Sequence, residues 1–218
     1  MREPIERRVV GLCGISSAIL LGIIGVIPPP PPVGAAASVV VPYFSEHQVG
    51  VLVLNYLGLL GLLPFLVVLA YVSGAVRRAE GSGWLSILVL LTGGLFSAAG
   101  FVVLALLQIV AYCALHTTPD VAKALNDATS LTFAMMFLAA AGFNAAFTWA
   151  NVNTRLWPAW LGLSSMAVAI ASIVASFGSI ATDGLLAAGG PATLVAFGAF
   201  LLWLLAFGGL IVVRRPSS

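Results

Sequence analysis

Long apolar runs alternate with short polar breaks along the chain. The runs cover residues 9–27, 49–76, 84–115, 128–150, 158–180 and 191–213, and none holds an Asp, Glu, Lys, Arg or His before its last residue or two. A bilayer hydrocarbon core of ~30 Å takes about 20 helical residues, and each run is long enough. Lipid offers no hydrogen-bond partner, so the backbone must pair within each segment, as an α-helix does. A β-barrel would show alternating segments of about 10 residues, and these runs do not alternate. The pattern therefore predicts an all-α, six-helix transmembrane bundle, read as a single domain over 1–218.

The polar breaks orient the bundle. Arg2, Arg7 and Arg8 precede the first run, Arg77 and Arg78 separate the second and third, Arg155 separates the fourth and fifth, and Arg214 and Arg215 follow the sixth. These are alternate connections, so every arginine falls on one side, and Lys123 alone lies on the other. The positive-inside bias puts both termini in the cytoplasm. Tryptophan agrees: Trp84, Trp149, Trp157 and Trp160 all fall at run ends on the arginine side, where an amphipathic indole anchors at the interface. The acids Glu46, Asp120, Asp127 and Asp183 lie outside.

Two outer connections carry local signals. Residues 28–48 form the longest, and it opens with prolines 28–32. Such a run adopts polyproline II at ~3.1 Å per residue, a stiff spacer of roughly 15 Å. Ser45 and Gln48 match a capping box, which predicts that the second helix starts near Glu46. In 116–127, Thr118 suits a cap, Pro119 the first helical position and Asp120 the positive helix end, predicting a short surface helix over 119–125. Pro64, with Gly58 and Gly61 before it, predicts a kink in the second helix. Arg7, Arg8, the first apolar run and the small residues Ala35, Ala36, Ala37 and Ser38 also fit a signal peptide. The run exceeds the usual 7–15 residues, so it reads as a retained anchor; cleavage would leave five helices.

Composition narrows the function. Of 218 residues 61% are hydrophobic and 7% charged, against roughly 25% charged in a soluble domain, and mean hydropathy is +1.13. A water-soluble enzyme, a disordered chain and a nucleic-acid binder are excluded. A net charge of +2 is too small to imply a polyanionic partner. Cys13 and Cys113 each fall in an apolar run and read as packed free thiols, with no disulfide framework. No Walker loop, HExxH or GxSxG occurs, and the absence of ionisable groups deep in the spans argues against a proton-coupled pump or voltage sensor.

Four sets of residues remain as candidates. Asn55, Tyr56, Gln108 and Tyr112 cluster in the outer parts of the second and third helices, as interhelical hydrogen bonds or as a small polar pocket open to the outside. Asn144, Thr148 and Asn151, spaced four and three, make a stripe near Arg155 that either bonds between helices or lines an inner vestibule. Glu46, His47, His116 and Asp120, with Cys113, hold donors of the kind that ligate zinc or copper, against the plainer reading of solvated loop ends. Ser165, Ala169, Ser172, Ser176 and Ser179 share one face of the fifth helix and predict its tightest packing face.

Residues 155–162 read RLWPAWLG. A basic loop followed by Pro158, Trp160, Leu161 and Gly162 at the start of a late helix, then a last apolar helix ending in Arg214 and Arg215, resembles multi-pass bacterial membrane families catalogued as domains of unknown function. The resemblance spans about 130–215, implies a bacterial inner-membrane setting and imports no functional residue. The sequence reading is then an accessory or interaction protein of a bacterial inner membrane, non-enzymatic and without a cofactor. Its partners are the lipid bilayer and a membrane protein or a second copy. Next stands a carrier of a small neutral or amphipathic, lipid-like ligand, and last a metal-dependent enzyme at the outer face.

Overall fold

The computed structural model describes residues 3–181 and 184–213; Arg2, Asp183, Arg214 and Arg215 lie outside them. The described residues form six long helices: α1 (Glu3–Gly22), α2 (Ala37–Glu80), α3 (Trp84–Cys113), α4 (Pro119–Thr154), α5 (Ala159–Ser176) and α6 (Pro191–Val213). Short 3-10 turns follow α1 and α5 and precede α6. Among the described residues there is no strand. All six helical segments are long and apolar enough to cross a membrane. Leu63, Leu91, Leu95, Leu163, Ile170 and Leu202 stand exposed around the outside, where a soluble protein would carry charge. The chain is a multi-pass helical membrane protein.

Each helix packs on its neighbours in sequence, α6 closes back on α1, and α2 meets α4 across the middle. At one end Gly11 lies beside Val212, the Trp84 ring meets Trp149 edge-on at 5.4 Å, and Trp157 faces Phe207. This end carries Arg7, Arg8, Arg77, Arg78 and Arg155 and is called the arginine end. The opposite, proline end joins the 28–32 segment to α2 and α4.

Two elements at the proline end differ from the sequence expectation. α2 begins at Ala37, not near Glu46, and it runs through Pro42 as well as Pro64. The missing Pro42 N–H costs one helical bond. Val40 and Phe44 hold the extra turns in place, because both are wholly buried against Val110, Ala111, Ala114 and Ala122. Ser45 is thus mid-helix and caps nothing, and Gln48 donates from Nε2 to the Ala111 carbonyl oxygen at 2.9 Å. The expected surface helix over 119–125 is not separate; it is the first two turns of α4. No breaker stands between 125 and 128, and the Lys123–Asp127 ion pair, i to i+4 at 2.5 Å, bridges the join. Thr118 occupies the N-cap position but its side chain makes no cap bond.

The arginine half packs solidly. Phe65, Phe96, Phe143 and Phe200 meet edge-to-face near the middle, and Phe147, Trp157, Trp203 and Phe207 continue the cluster toward the arginines. Trp84, Trp149 and Trp160 are exposed as interface anchors should be, but Trp157 is only 6% exposed. It stacks on Phe147 at 5.0 Å and belongs to the core.

Helix crossings use small residues, as expected without a hydrophobic drive between helices in lipid. A Cβ on Gly208 would lie 2.7 Å from the Gly11 carbonyl oxygen, so α1 and α6 touch backbone to backbone. On its other side α1 meets α2 at Gly61, whose carbonyl accepts the buried Ser17 hydroxyl at 2.7 Å. That carbonyl lies three residues before Pro64, in the stretch the proline loosens.

Candidate functional site

The proline end is hollow where the arginine end is filled. A cavity of about 300 Å³ lies between the 3-10 turn after α1, the first prolines, α2, α3, α4 and the start of α6. Its walls are chiefly apolar, with Leu62, Phe96, Val103, Leu104, Phe133 and Met136 among them. The volume sits at the lower end of small-molecule sites, and apolar walls with a few placed polar groups are their usual make-up.

The lid of this cavity is the 28–32 segment. Proline has a carbonyl and no N–H, so a proline run can only accept hydrogen bonds and cannot fold back on itself. Side chains from the bundle supply the donors. The Tyr43 hydroxyl donates to the Pro28 carbonyl oxygen at 2.5 Å, and Asn126 Nδ2 donates to that of Pro31 at 3.1 Å. The Gly34 N–H then donates to the Asp127 carboxylate at 3.0 Å, and Asp127 is held by Lys123. Gly34 has φ +81°, a turn conformation that favours glycine. The spacer expected from sequence is thus a strap tied down at three points.

The deepest polar group in the wall is Asn55, which is 0% exposed. Its Nδ2 donates to the Leu104 carbonyl oxygen and to Gln108 Oε1, both at 2.7 Å. Two acceptors against one nitrogen fix which way the amide points. Its Oδ1 has no partner. Two other buried side-chain oxygens among the described residues lack partners, those of Ser172 and Thr193, and neither residue lines the cavity. A buried acceptor without a donor costs on the order of 1–3 kcal/mol.

The other sequence candidates distribute unequally. Gln108 joins Asn55 as described, whereas Tyr56 and Tyr112 are 56% and 62% exposed and face away from the bundle. Asn144, Thr148 and Asn151 are buried and stitch α4 to α5. The Ser165 hydroxyl donates to Asn144 Oδ1 at 3.0 Å, the Thr148 hydroxyl donates to the Gly162 carbonyl oxygen at 3.0 Å, and Asn151 Oδ1 accepts the Trp157 N–H at 2.9 Å. None of the three lines the cavity. Ser165, Ala169, Ser172 and Ser176 are buried and Ser179 half-buried, so the small-residue face of α5 points inward.

The metal set expected from Glu46, His47, His116 and Asp120 does not assemble. Glu46, His116 and Asp120 are exposed. His47 stacks on Tyr43, and its Nδ1 donates to the Tyr43 carbonyl oxygen at 2.9 Å within its own helix. His116 lies against Tyr112. Among the described residues no three His, Cys, Asp or Glu side chains converge.

Sequence reading missed Tyr43, Asn126 and Gly100 as parts of the site. Asn126 carried a signal: an amide within an otherwise helical 119–128 pattern must find a partner once the segment is buried. Tyr43 was hidden by the assumption that helix begins after it. No protein-family model, no curated protein and no solved structure matches this chain.

Proposed function

We propose that this membrane protein binds a small amphipathic, lipid-like ligand in the strapped cavity at its proline end. The observation that carries the reading is the contrast between halves of one bundle. Phe147, Trp157, Trp203 and Phe207 fill the arginine half beyond the phenylalanines at the middle, while about 300 Å³ stays open beneath the prolines. An accessory protein that works through its outer faces gains nothing from a hollow, and a void without occupant forfeits packing. The cavity therefore favours the carrier over the accessory role.

The test is to isolate the protein with its native lipids, extract bound organic molecules and compare them with those of Gly100→Leu. Gly100 lines the cavity, and a Cβ there meets Leu62 and Met136 at ordinary contact distances, so a longer side chain fills the space. A species retained near one per chain by the native protein and lost from the variant supports the reading. Identical extracts return the protein to an accessory role beside a membrane partner or a second copy.

The setting is a bacterial inner membrane with both termini cytoplasmic, on the arginine and tryptophan distribution and the resemblance at 155–162. The cavity then opens toward the outer leaflet. In a background with Cys13→Ala and Cys113→Ala, cysteines replacing Ser82 and Asn153 are expected to react with a membrane-impermeant maleimide only after the cells are opened. One replacing Ala124 reacts in intact cells. All three side chains are exposed. Labelling of the Ser82 position in intact cells reverses the orientation.

A further inference from the structure

We infer that the cavity fills from the side: one hydrocarbon chain of a bilayer lipid enters it between the turn that follows α1 (residues 24–30) and the first turns of α6, while the lipid's head stays at the membrane surface. This rests on the cavity being a ligand site and names the occupant, its source and the mouth.

Three observations carry it. First, the exposed part of the cavity wall belongs to those two segments. Gly25, Pro28, Pro29 and Pro30 stand exposed on one side and Gly189 and Leu194 on the other, whereas the lining residues of α2, α3 and α4 are buried or half-buried. Toward the middle the gap closes, because Ile24 and Phe197 both pack on Leu21, Leu62 and Leu104. The strap leaves the gap open: its side-chain ties run to Tyr43 on α2 and to Asn126 and Asp127 on α4, and none of these reaches α6. Second, both rims suit lipid and not water. Residues 19–33 hold no polar side chain, and residues 184–202 hold only Thr193, which is wholly buried. Val26, Leu194 and Val195 stand exposed there. The polar side chains of this end, among them Glu46, His47, Asp120 and Lys123, are on α2 and α4 instead. A mouth edged by bare apolar side chains favours hydrocarbon over a water-borne solute.

Third, depth and size match one chain in one leaflet. Leu194 lies nineteen residues before Val213, ~29 Å along α6 at 1.5 Å per residue. With Val213, the residue before Arg214, at one edge of a ~30 Å hydrocarbon core, Leu194 sits just inside the other. A head at that level stays in the interface while its chain points inward. Leu107 and Phe96 both line the cavity, and eleven residues of α3 set them ~16 Å apart, about half the core. At ~30 Å³ per water-sized group, about 300 Å³ holds roughly ten non-hydrogen atoms, enough for a stretch of chain but not for a second chain and a head. No Asp, Glu, Lys, Arg or His lines the cavity, so a charged head drawn inside would lose its hydration without gaining a counter-charge.

Photoreactive probes test the route. The protein is placed in phosphatidylcholine nanodiscs that contain a phosphatidylcholine with a diazirine near the end of one acyl chain, and adducts formed on illumination are mapped by mass spectrometry. A parallel sample carries a triethylene glycol diazirine in the water. The expected result is lipid adducts at Val103 and Met136, which line the cavity and are buried from the outside, and none at Phe147 in the filled half. Leu194→Trp and, on the facing rim, Gly25→Trp are expected to lower these adducts to the level at Phe147. Adducts at Leu95, exposed on the outside of α3, should stay unchanged. Leu194 is exposed and a Cβ on Gly25 meets nothing within 4 Å, so there is room for either indole. Loss of the cavity adducts in either variant supports the side mouth; if neither variant folds, lipid against glycol probe on the unaltered protein decides. Lipid adducts that persist at Val103 and Met136 in both variants, or glycol adducts there that equal or exceed them, overturn the inference while leaving the cavity reading intact. Adducts that persist in Gly100→Leu, or the absence of both probes from Val103 and Met136, remove the cavity reading and the inference with it.

Discussion

Single amides do different work at the two ends. Asn55 keeps a free acceptor beside a cavity, whereas Asn151 is fully used: its Oδ1 takes the buried Trp157 N–H and so fixes the tight turn from α4 into α5. Arg155 in that turn has φ +51°, a conformation a non-glycine residue adopts only when its surroundings hold it. Asn151→Ala leaves the Trp157 N–H buried without an acceptor, and the expected loss is about 1–3 kcal/mol of stability. Chemical unfolding in mixed micelles measures it, and a loss below ~0.5 kcal/mol would deny Asn151 that role. The pairing of Asn55 with Gln108 was legible from residue type alone, because amides in lipid must find partners. The exclusion of Tyr56 was legible too, since successive residues on a helix diverge by about 100° and Asn55 points inward. Tyr112 was not. It lies four residues from Gln108 on nearly the same stripe, and how far round the helix burial extends depends on the neighbours, which no local pattern encodes.

Helix ends were where local signals and tertiary packing competed. The existence of all six helices was written in the runs of apolar residues, yet the first turns of α2 lie in a stretch that looks like loop, and those of α4 in one that looks like a separate short helix. Pro42 and Ser45 are strong local punctuation, and the burial of Val40 and Phe44 against Ala122 outweighs it, whereas Pro119 opens α4 at the first helical position as expected. These turns tie down the proline strap, so the lid was legible as a stiff segment but not as a lid. Its attachment is open to measurement. Asp127→Ala removes the acceptor of the Gly34 N–H, and the expected outcome is faster hydrogen exchange at Gly34 with α4 protection unchanged. Unaltered exchange would mean the strap is held by its proline carbonyls alone. At the other end, the paired glycines of α6 are not equivalent. Gly208 touches the α1 backbone, while a Cβ on Gly209 meets nothing within 4 Å. Gly208→Val is expected to cost at least 1–3 kcal/mol, because backbone atoms cannot yield as side chains do. Gly209→Val should stay within ~1 kcal/mol of the parent in the same unfolding assay.

Across the whole molecule the two halves obey different rules, and substitutions of opposite kind expose this. Phe147 is wholly buried and meets Trp157, Trp203 and Phe207. Phe147→Ala opens a void in a region with no slack, and the expected cost is about 3–5 kcal/mol. Gly100 sits in α3 at the wall of the existing void, with side-chain atoms of Leu62 and Met136 at 3.5–3.8 Å from a Cβ placed there. Gly100→Leu replaces a poor helix former with a good one and supplies contacts the cavity lacks, so it should leave stability unchanged or raise it by about 1 kcal/mol. The same change should abolish retention of the organic species that the native protein holds. A core shaped by stability alone would already hold the larger residue. A gain in melting temperature coupled to loss of binding is therefore the signature of a cavity kept open for an occupant. Should Gly100→Leu destabilise the bundle as much as Phe147→Ala, the proline half is as tightly determined as the arginine half, and its hollow serves the fold instead of a ligand.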